Sequence, residues 1–223
     1  MDRIVYYVST FLAILIVLPI HEFAHAFVAV KCGDLTPKLN GRLTLNPLKH
    51  FDLYGLICML LVRFGWAKPV PINPNNFNKP KRDIILVSSA GVVANYLLAF
   101  LMYPLSVLLI RFFALHANLG IVSEMIYMSV YNVYFLSVCF FVFNLLPIFP
   151  LDGFRILEGF CSPYNKVVQF LRNYGQYILL GLVLLSFVSS MLNLPQINIL
   201  GNYLTTLVNY VAWPIKAFWG LIL

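Results

Sequence analysis

The chain has 223 residues, 61% of them hydrophobic and only 10% charged, with a mean hydropathy of +0.85. It lacks the long polar stretches that a separate soluble domain would need, and several apolar runs approach or exceed the ~20 residues that cross a bilayer. The net charge of +7 does not imply a nucleic-acid partner, because the basic residues fall in loops between apolar segments, where membrane orientation explains them.

The first predicted element is a helix over Ile4–Val30, roughly 40 Å long against a hydrocarbon core of about 30 Å. The run shows no small-residue cleavage site after a short apolar core, so it reads as a resident span rather than a removable signal. Within it lies His21-Glu22-Phe23-Ala24-His25, a His-Glu-x-x-His string. On a helix, positions i and i+4 fall within roughly 40° of each other, so His21 and His25 can present two imidazoles to one zinc ion. Glu22 sits about 100° around from His21, where it can hold water for hydrolysis without binding the metal itself. A single histidine at a helix end would more simply be a satisfied polar group. A carboxylate and two imidazoles together in a membrane segment are a functional site by default, since a charged group there costs about 2.5–3.5 kcal/mol. Pro19, two residues before His21, predicts a kink just ahead of the motif.

Lys31-Cys32-Gly33-Asp34 reads as a helix stop. Arg42-Leu43-Thr44-Leu45 alternates polar and apolar and closes on Asn46-Pro47, which predicts a short strand or hairpin arm. Leu53–Phe64 is apolar but too short to span and reads as a re-entrant, half-membrane element. Trp66–Pro80, rich in proline and asparagine, must be irregular and away from lipid tails. Further spans are predicted at Ile84–Ile110, which contains Asn95, and at Ile121–Leu146. Asn144 through Pro147 and Pro150 to Asp152-Gly153 then forms an extended break ending in an Asp-Gly turn. Val167–Leu192 and Leu200–Leu221 complete five spans. The fold expected is therefore an all-α polytopic membrane protein, with a half-membrane element and a short hairpin or edge strand near one face. The four cysteines (Cys32, Cys58, Cys139 and Cys161) have no C-x-x-C spacing and are assigned neither disulfides nor metal.

Lys31–Arg82 carries nine Lys and Arg and Arg155–Arg172 three, while the loops after Ile110 and at Asn193–Ile199 carry one and none. This places both basic regions in the cytoplasm, the N-terminus outside, the C-terminus inside, and the histidine motif toward the cytoplasmic face of a cell membrane. A catalytic zinc usually takes three protein ligands and leaves a fourth position open. Candidates for the third are Asp152, Asp52, His50, His116 and Glu158. His116 lies on the wrong side by the charge count, and His50 and Asp52 sit in a basic interfacial loop where a solvated role is the simpler reading. Asp152 lies on the right side at a proline-shaped break, with an ordinary Asp-Gly turn as its alternative.

Four collinear stretches, His21–His25, Gly41–His50, Trp66–Pro71 and Asn144–Gly153, together resemble the site-2 protease family (peptidase family M50) of intramembrane zinc metalloproteases. The resemblance implies one zinc per chain held by His21, His25 and Asp152, with Glu22 activating water. It also implies that Asn144 contacts the substrate backbone or developing oxyanion, and that Gly41, Arg42, Leu43, Thr44, Leu45 and Asn46 offer an edge to an unwound substrate. Asn95 is a weaker candidate for substrate contact, since an asparagine in a membrane helix more often packs helices. The implied protein is a single intramembrane protease domain over 1–223, with a catalytic core at about 1–160 and closing helices within 164–221. No PDZ or CBS domain is apparent. Its partners would be the lipid bilayer and transmembrane protein substrates, cut in or near their spans. The chain departs from the family in having Ala90-Gly91-Val92 where Ala-Gly-Pro is frequent, and Asp152-Gly153-Phe154 where Asp-Gly-Gly is frequent. Two other readings of the same residues are a membrane metal transporter and a scaffold that binds membrane segments without cutting them. Neither would lose a cleavage activity on Glu22→Gln.

Overall fold

The computed structural model describes residues 3–52, 54–55, 57–58, 67–115, 120–162 and 164–223. Helix α1 (Arg3–Lys31) runs unbroken through Pro19. It ends where Gly33, at φ +105°, lets the Asp34 N–H reach Ala29 O at 3.0 Å and the Gly33 N–H reach Val30 O at 3.2 Å, a Schellman closure. A single turn, α2 (Thr36–Leu39), follows. Then come α3 (Pro80–Leu115), α4 (Gly120–Asn144), the short α5 (Asp152–Phe160), α6 (Lys166–Leu192) and α7 (Ile199–Gly220).

Helices α1, α3 and α4 each pack against the other two, α5 lies on α3, and α7 packs on α4 and α6. Contacts between α1, α3 and α4 use small residues. Ala13, Ala26, Ala29 and Ala99 are fully buried, as expected where helix backbones approach closely in lipid. Large apolar side chains such as Leu97, Leu101, Leu105 and Leu108 face outward, which suits a hydrocarbon surround rather than water.

Two expectations need correction. Among the described residues, four helices, α1, α3, α4 and α6, are long and apolar enough to cross a membrane, not five. The fifth predicted span exists as α7, but Asn202, Thr205, Thr206, Asn209 and Lys216 dilute its apolar character. The expected strand at Arg42–Leu45 is also absent, and no strand or hairpin forms among the described residues beyond one isolated bridge, Phe51 to Ala67. The reason is Arg42, which alternation would place as a solvent-facing polar residue. Its buried guanidinium instead turns inward and donates to the carbonyls of Lys49, Lys68 and Pro69. His50 Nε2 meets Thr44 O at 2.7 Å, so the segment curls on itself and binds 67–69 instead of extending. Of the half-membrane element expected at Leu53–Phe64, only Tyr54, Gly55, Ile57 and Cys58 lie among the described residues, and all four are helical.

Asp34 anchors this loop layer to the end of α1. Its Oδ1 accepts from the Thr36 N–H at 3.0 Å, the Thr36 hydroxyl at 2.5 Å and Asn76 Nδ2 at 2.9 Å, and its Oδ2 accepts from the Asn73 N–H at 2.7 Å. Burial opposes ionisation of this carboxyl, but the hydrogen bonds outweigh it and hold it below the ordinary carboxylate range.

Candidate metal centre

Helical spacing puts His21 and His25 on one face of α1, and both are buried. The break after α4 returns the chain beneath them. Asp152 is the first residue of α5, not the end of a turn as its Asp-Gly sequence predicts. Gly153 permits this, because a Cβ there would lie 2.3 Å from Leu145 O. The backbone of α5 can therefore seat directly on the Leu145–Leu146 turn and carry the carboxylate under the imidazoles.

Three atoms converge. His21 Nε2 and His25 Nε2 are 3.0 Å apart, and they lie 3.3 and 3.1 Å from Asp152 Oδ2. Tetrahedral zinc with bonds of about 2.0–2.1 Å separates its donors by about 3.3 Å, so the triangle fits such an ion. Asp152 Oδ2 is buried and takes no hydrogen bond, and an uncompensated buried carboxylate oxygen facing two imidazole nitrogens is the donor set a divalent cation satisfies. Among the described residues this is the one group of three His, Cys, Asp or Glu side chains close enough to share a metal.

The imidazoles are held from behind by α3. His25 Nδ1 donates to Val87 O at 2.7 Å, and Asn95 Nδ2 lies 3.0 Å from His21 Nδ1. Gly91 sits between them, where a Cβ would lie 2.4 Å from His25 Nε2 and 2.7 Å from His21 Cε1. Glu22 is buried, and its Oε2 accepts the Val70 N–H at 3.1 Å. The segment that brings Val70 there is the one Arg42 grips at Lys68 and Pro69.

A cleft of about 960 Å³ opens from this corner. It is lined by His21, Glu22, Leu18, Ile14 and Thr10 of α1, by Asn144 of α4, and by Leu179, Val183 and Leu204 of α6 and α7. Its walls are mostly apolar, with a few polar groups, His21, Glu22 and Asn144 among them, the usual make-up of a ligand cleft.

The structure thus brings together His21, Glu22, His25 and Asp152, and places Asn144 on the cleft wall, its Nδ2 donating to Phe140 O at 3.1 Å. It sets Asn95 behind His21, fully buried. Gly41, Arg42, Leu43, Thr44, Leu45 and Asn46 do not line the cleft. Of the other candidate third ligands, His50 is tied to Thr44, Asp52 Oδ1 accepts the Gly55 N–H at 2.9 Å, Glu158 pairs with Arg172, and His116 lies outside the described residues. Sequence reasoning missed Val87, Val70, Gly91 and Gly153 as parts of the site. The first two act through backbone atoms, which leave no side-chain signature. The glycines stood within the Ala90-Gly91-Val92 and Asn144–Gly153 stretches, but nothing in the sequence showed that each makes room for a close approach.

A model of peptidase family M50 matches residues 9–188. The chain is 38% identical, over 96% of its own length and 90% of the relative's, to a Bacillus subtilis protein named "Putative zinc metalloprotease YwhC". It is 34% identical to a Mycolicibacterium smegmatis protein of the same description, Rip2, over 72% of this chain and 61% of the relative. A Mycobacterium tuberculosis Rip2 is 32% identical over 68% of this chain and 57% of that one. No solved structure matches.

Proposed function

The chain belongs to peptidase family M50, and from that premise we propose that His21, His25 and Asp152 hold its zinc and that Glu22 is the base for peptide hydrolysis inside the membrane. Membership makes it an intramembrane zinc metalloprotease. The observation that carries the residue assignment is the convergence of two imidazole nitrogens and one unpartnered carboxylate oxygen within 3.0–3.3 Å.

Zinc supplies Lewis acidity at such a site, acidifying water and polarising a carbonyl. The chain does the rest. Val87 O orients the His25 ring, leaving its Nε2 lone pair toward the cation position. The Val70 N–H fixes one Glu22 oxygen, so the carboxylate is held on the cleft lining, ready to take a proton from water and pass it to the leaving amine. Asn144, on the same wall, offers its amide to the substrate carbonyl or backbone. Phe140 lies edge-on to His21 at 6.3 Å and helps keep bulk water from the imidazoles.

The apolar cleft supports a transmembrane protein as substrate, with cleavage in or near its span. A helix hides its amides in its own hydrogen bonds, so the scissile region must unwind. Gly41–Asn46 is curled and lies off the cleft lining; tethered through Arg42 to the segment carrying Val70, it would have to open out to pair with such an unwound stretch. Proline at Leu43 and Leu45 that leaves cleavage unchanged would refute that role. The basic loops at Lys31–Arg82 and Arg155–Arg172 support a cytoplasmic site, with the N-terminus outside.

The test is incubation of purified protein with a panel of single-span membrane proteins, with and without chelator. Fragments that disappear with chelator and return with zinc are expected. Zinc-loaded protein that cuts no panel member would contradict the protease reading.

A further inference from the structure

Behind the candidate centre, Val87, Gly91 and Asn95 recur at intervals of four along α3, so they form one stripe of that helix. Each meets the histidine pair differently. Val87 offers a carbonyl to His25 Nδ1 at 2.7 Å, Gly91 offers the absence of a Cβ, and Asn95 sets its carboxamide 3.0 Å from His21 Nδ1.

The two imidazoles are therefore supported unequally. A carbonyl can only accept, so His25 Nδ1 carries the proton and Nε2 keeps its lone pair for a cation. The support of His21 is a side chain with two unlike ends. With Nδ2 toward Nδ1, the Nδ1 lone pair accepts and the ring proton sits on Nε2, where it blocks ligation. In that arrangement Asn95 Oδ1 is buried without a hydrogen-bond partner, and Asn95 itself is fully buried. A half turn of the carboxamide about Cβ–Cγ pairs that orphaned oxygen with Nδ1–H and gives His21 the same tautomer as His25.

We propose that Asn95 is the positioning residue for His21, its carboxamide oxygen accepting from Nδ1–H so that Nε2 is presented to zinc. This rests on the reading of His21, His25 and Asp152 as zinc ligands. Asn95 does not touch substrate. It lies on the far side of the imidazole from Asp152 and acts only through the ring.

Zinc affinity tests this, measured by chelator competition and read alongside the rise in melting temperature on adding zinc. Asn95→Leu removes the acceptor while keeping the number and branching of side-chain heavy atoms, and is expected to weaken zinc binding about 10- to 100-fold, and to shrink the zinc-dependent rise. Asn95→Asp presents an oxygen whichever way it turns and should bind zinc at least about tenfold more tightly than Asn95→Leu. A purely packing role would lower the melting temperature of metal-free protein and leave the zinc increment intact. If Asn95→Leu does not fold, Asn95→Ala is read by the same criteria. Zinc affinity unchanged in the variant lacking the acceptor, or Asn95→Asp binding as weakly as that variant, would overturn the proposal. Wild-type protein that takes up no zinc, or whose zinc affinity is indifferent to His21→Ala, would overturn the ligand assignment beneath it.

Discussion

The two sides of the cleft are built on different terms. On the α1–α3 side, His21, Glu22, His25 and Asn95 are buried, and a named polar partner stands against each. On the α6–α7 side the wall is mostly apolar, and Leu180, Leu184, Phe187 and Val188 of α6 are about half exposed. Helix α6 packs mainly on its sequence neighbours rather than on the three-helix core. One side holds polar side chains through named partners, and the other offers apolar surface, which the proposed function assigns to substrate. Changes on the first side should therefore act on metal or chemistry, and changes on the second on substrate binding.

The largest effect belongs to Glu22→Gln, which should lower cleavage about 100- to 10,000-fold while zinc content stays at one per chain. Cleavage at the wild-type rate would remove Glu22 as the base. Next comes Gly91→Ala. The added Cβ would lie 2.4 Å from His25 Nε2, and overpacking of about 1–3 kcal/mol should weaken zinc binding roughly 10- to 100-fold, read by chelator competition. Across the cleft, Val183→Trp should raise KM for a membrane-spanning substrate about tenfold, ~1.4 kcal/mol, with zinc affinity unchanged. A loss of zinc there would dissolve the contrast between the two sides.

Much of this division was legible in the residues. The spans at Ile4–Val30, Ile84–Ile110, Ile121–Leu146 and Val167–Leu192 reappear as helices with ends moved by a few residues, because long apolar runs leave the chain few choices in lipid. The pair His21 and His25 was legible from spacing alone, since a helix fixes their relative direction. Arg42–Leu45 was misread because alternation assumes a neighbouring strand, and Arg42 spends its donors on the carbonyls of Lys49, Lys68 and Pro69 instead. The stripe of Val87, Gly91 and Asn95 was hidden for another reason. In a helix apolar all round, periodicity does not tell which face meets α1.

The smallest effect concerns the loop layer. Asp34 is held ionised by its hydrogen bonds, so its contribution is fully present above the unfolded value of about 3.9 and is lost as pH falls through the lower folded value. Melting temperature should sag below about pH 4 in the wild type and sag less in Asp34→Asn, which should itself be destabilised at neutral pH by about 1–3 kcal/mol. Identical acid profiles would show that Asp34 is not the group responsible.

The convergence of three side chains on one cation is tested most directly by X-ray absorption spectroscopy of the zinc-loaded protein. The spectrum should show one zinc with two imidazole nitrogens and light oxygen donors at about 2.0–2.1 Å, with one imidazole lost in His25→Ala. Zinc bound by sulfur, or an identical spectrum in His25→Ala, would contradict the account.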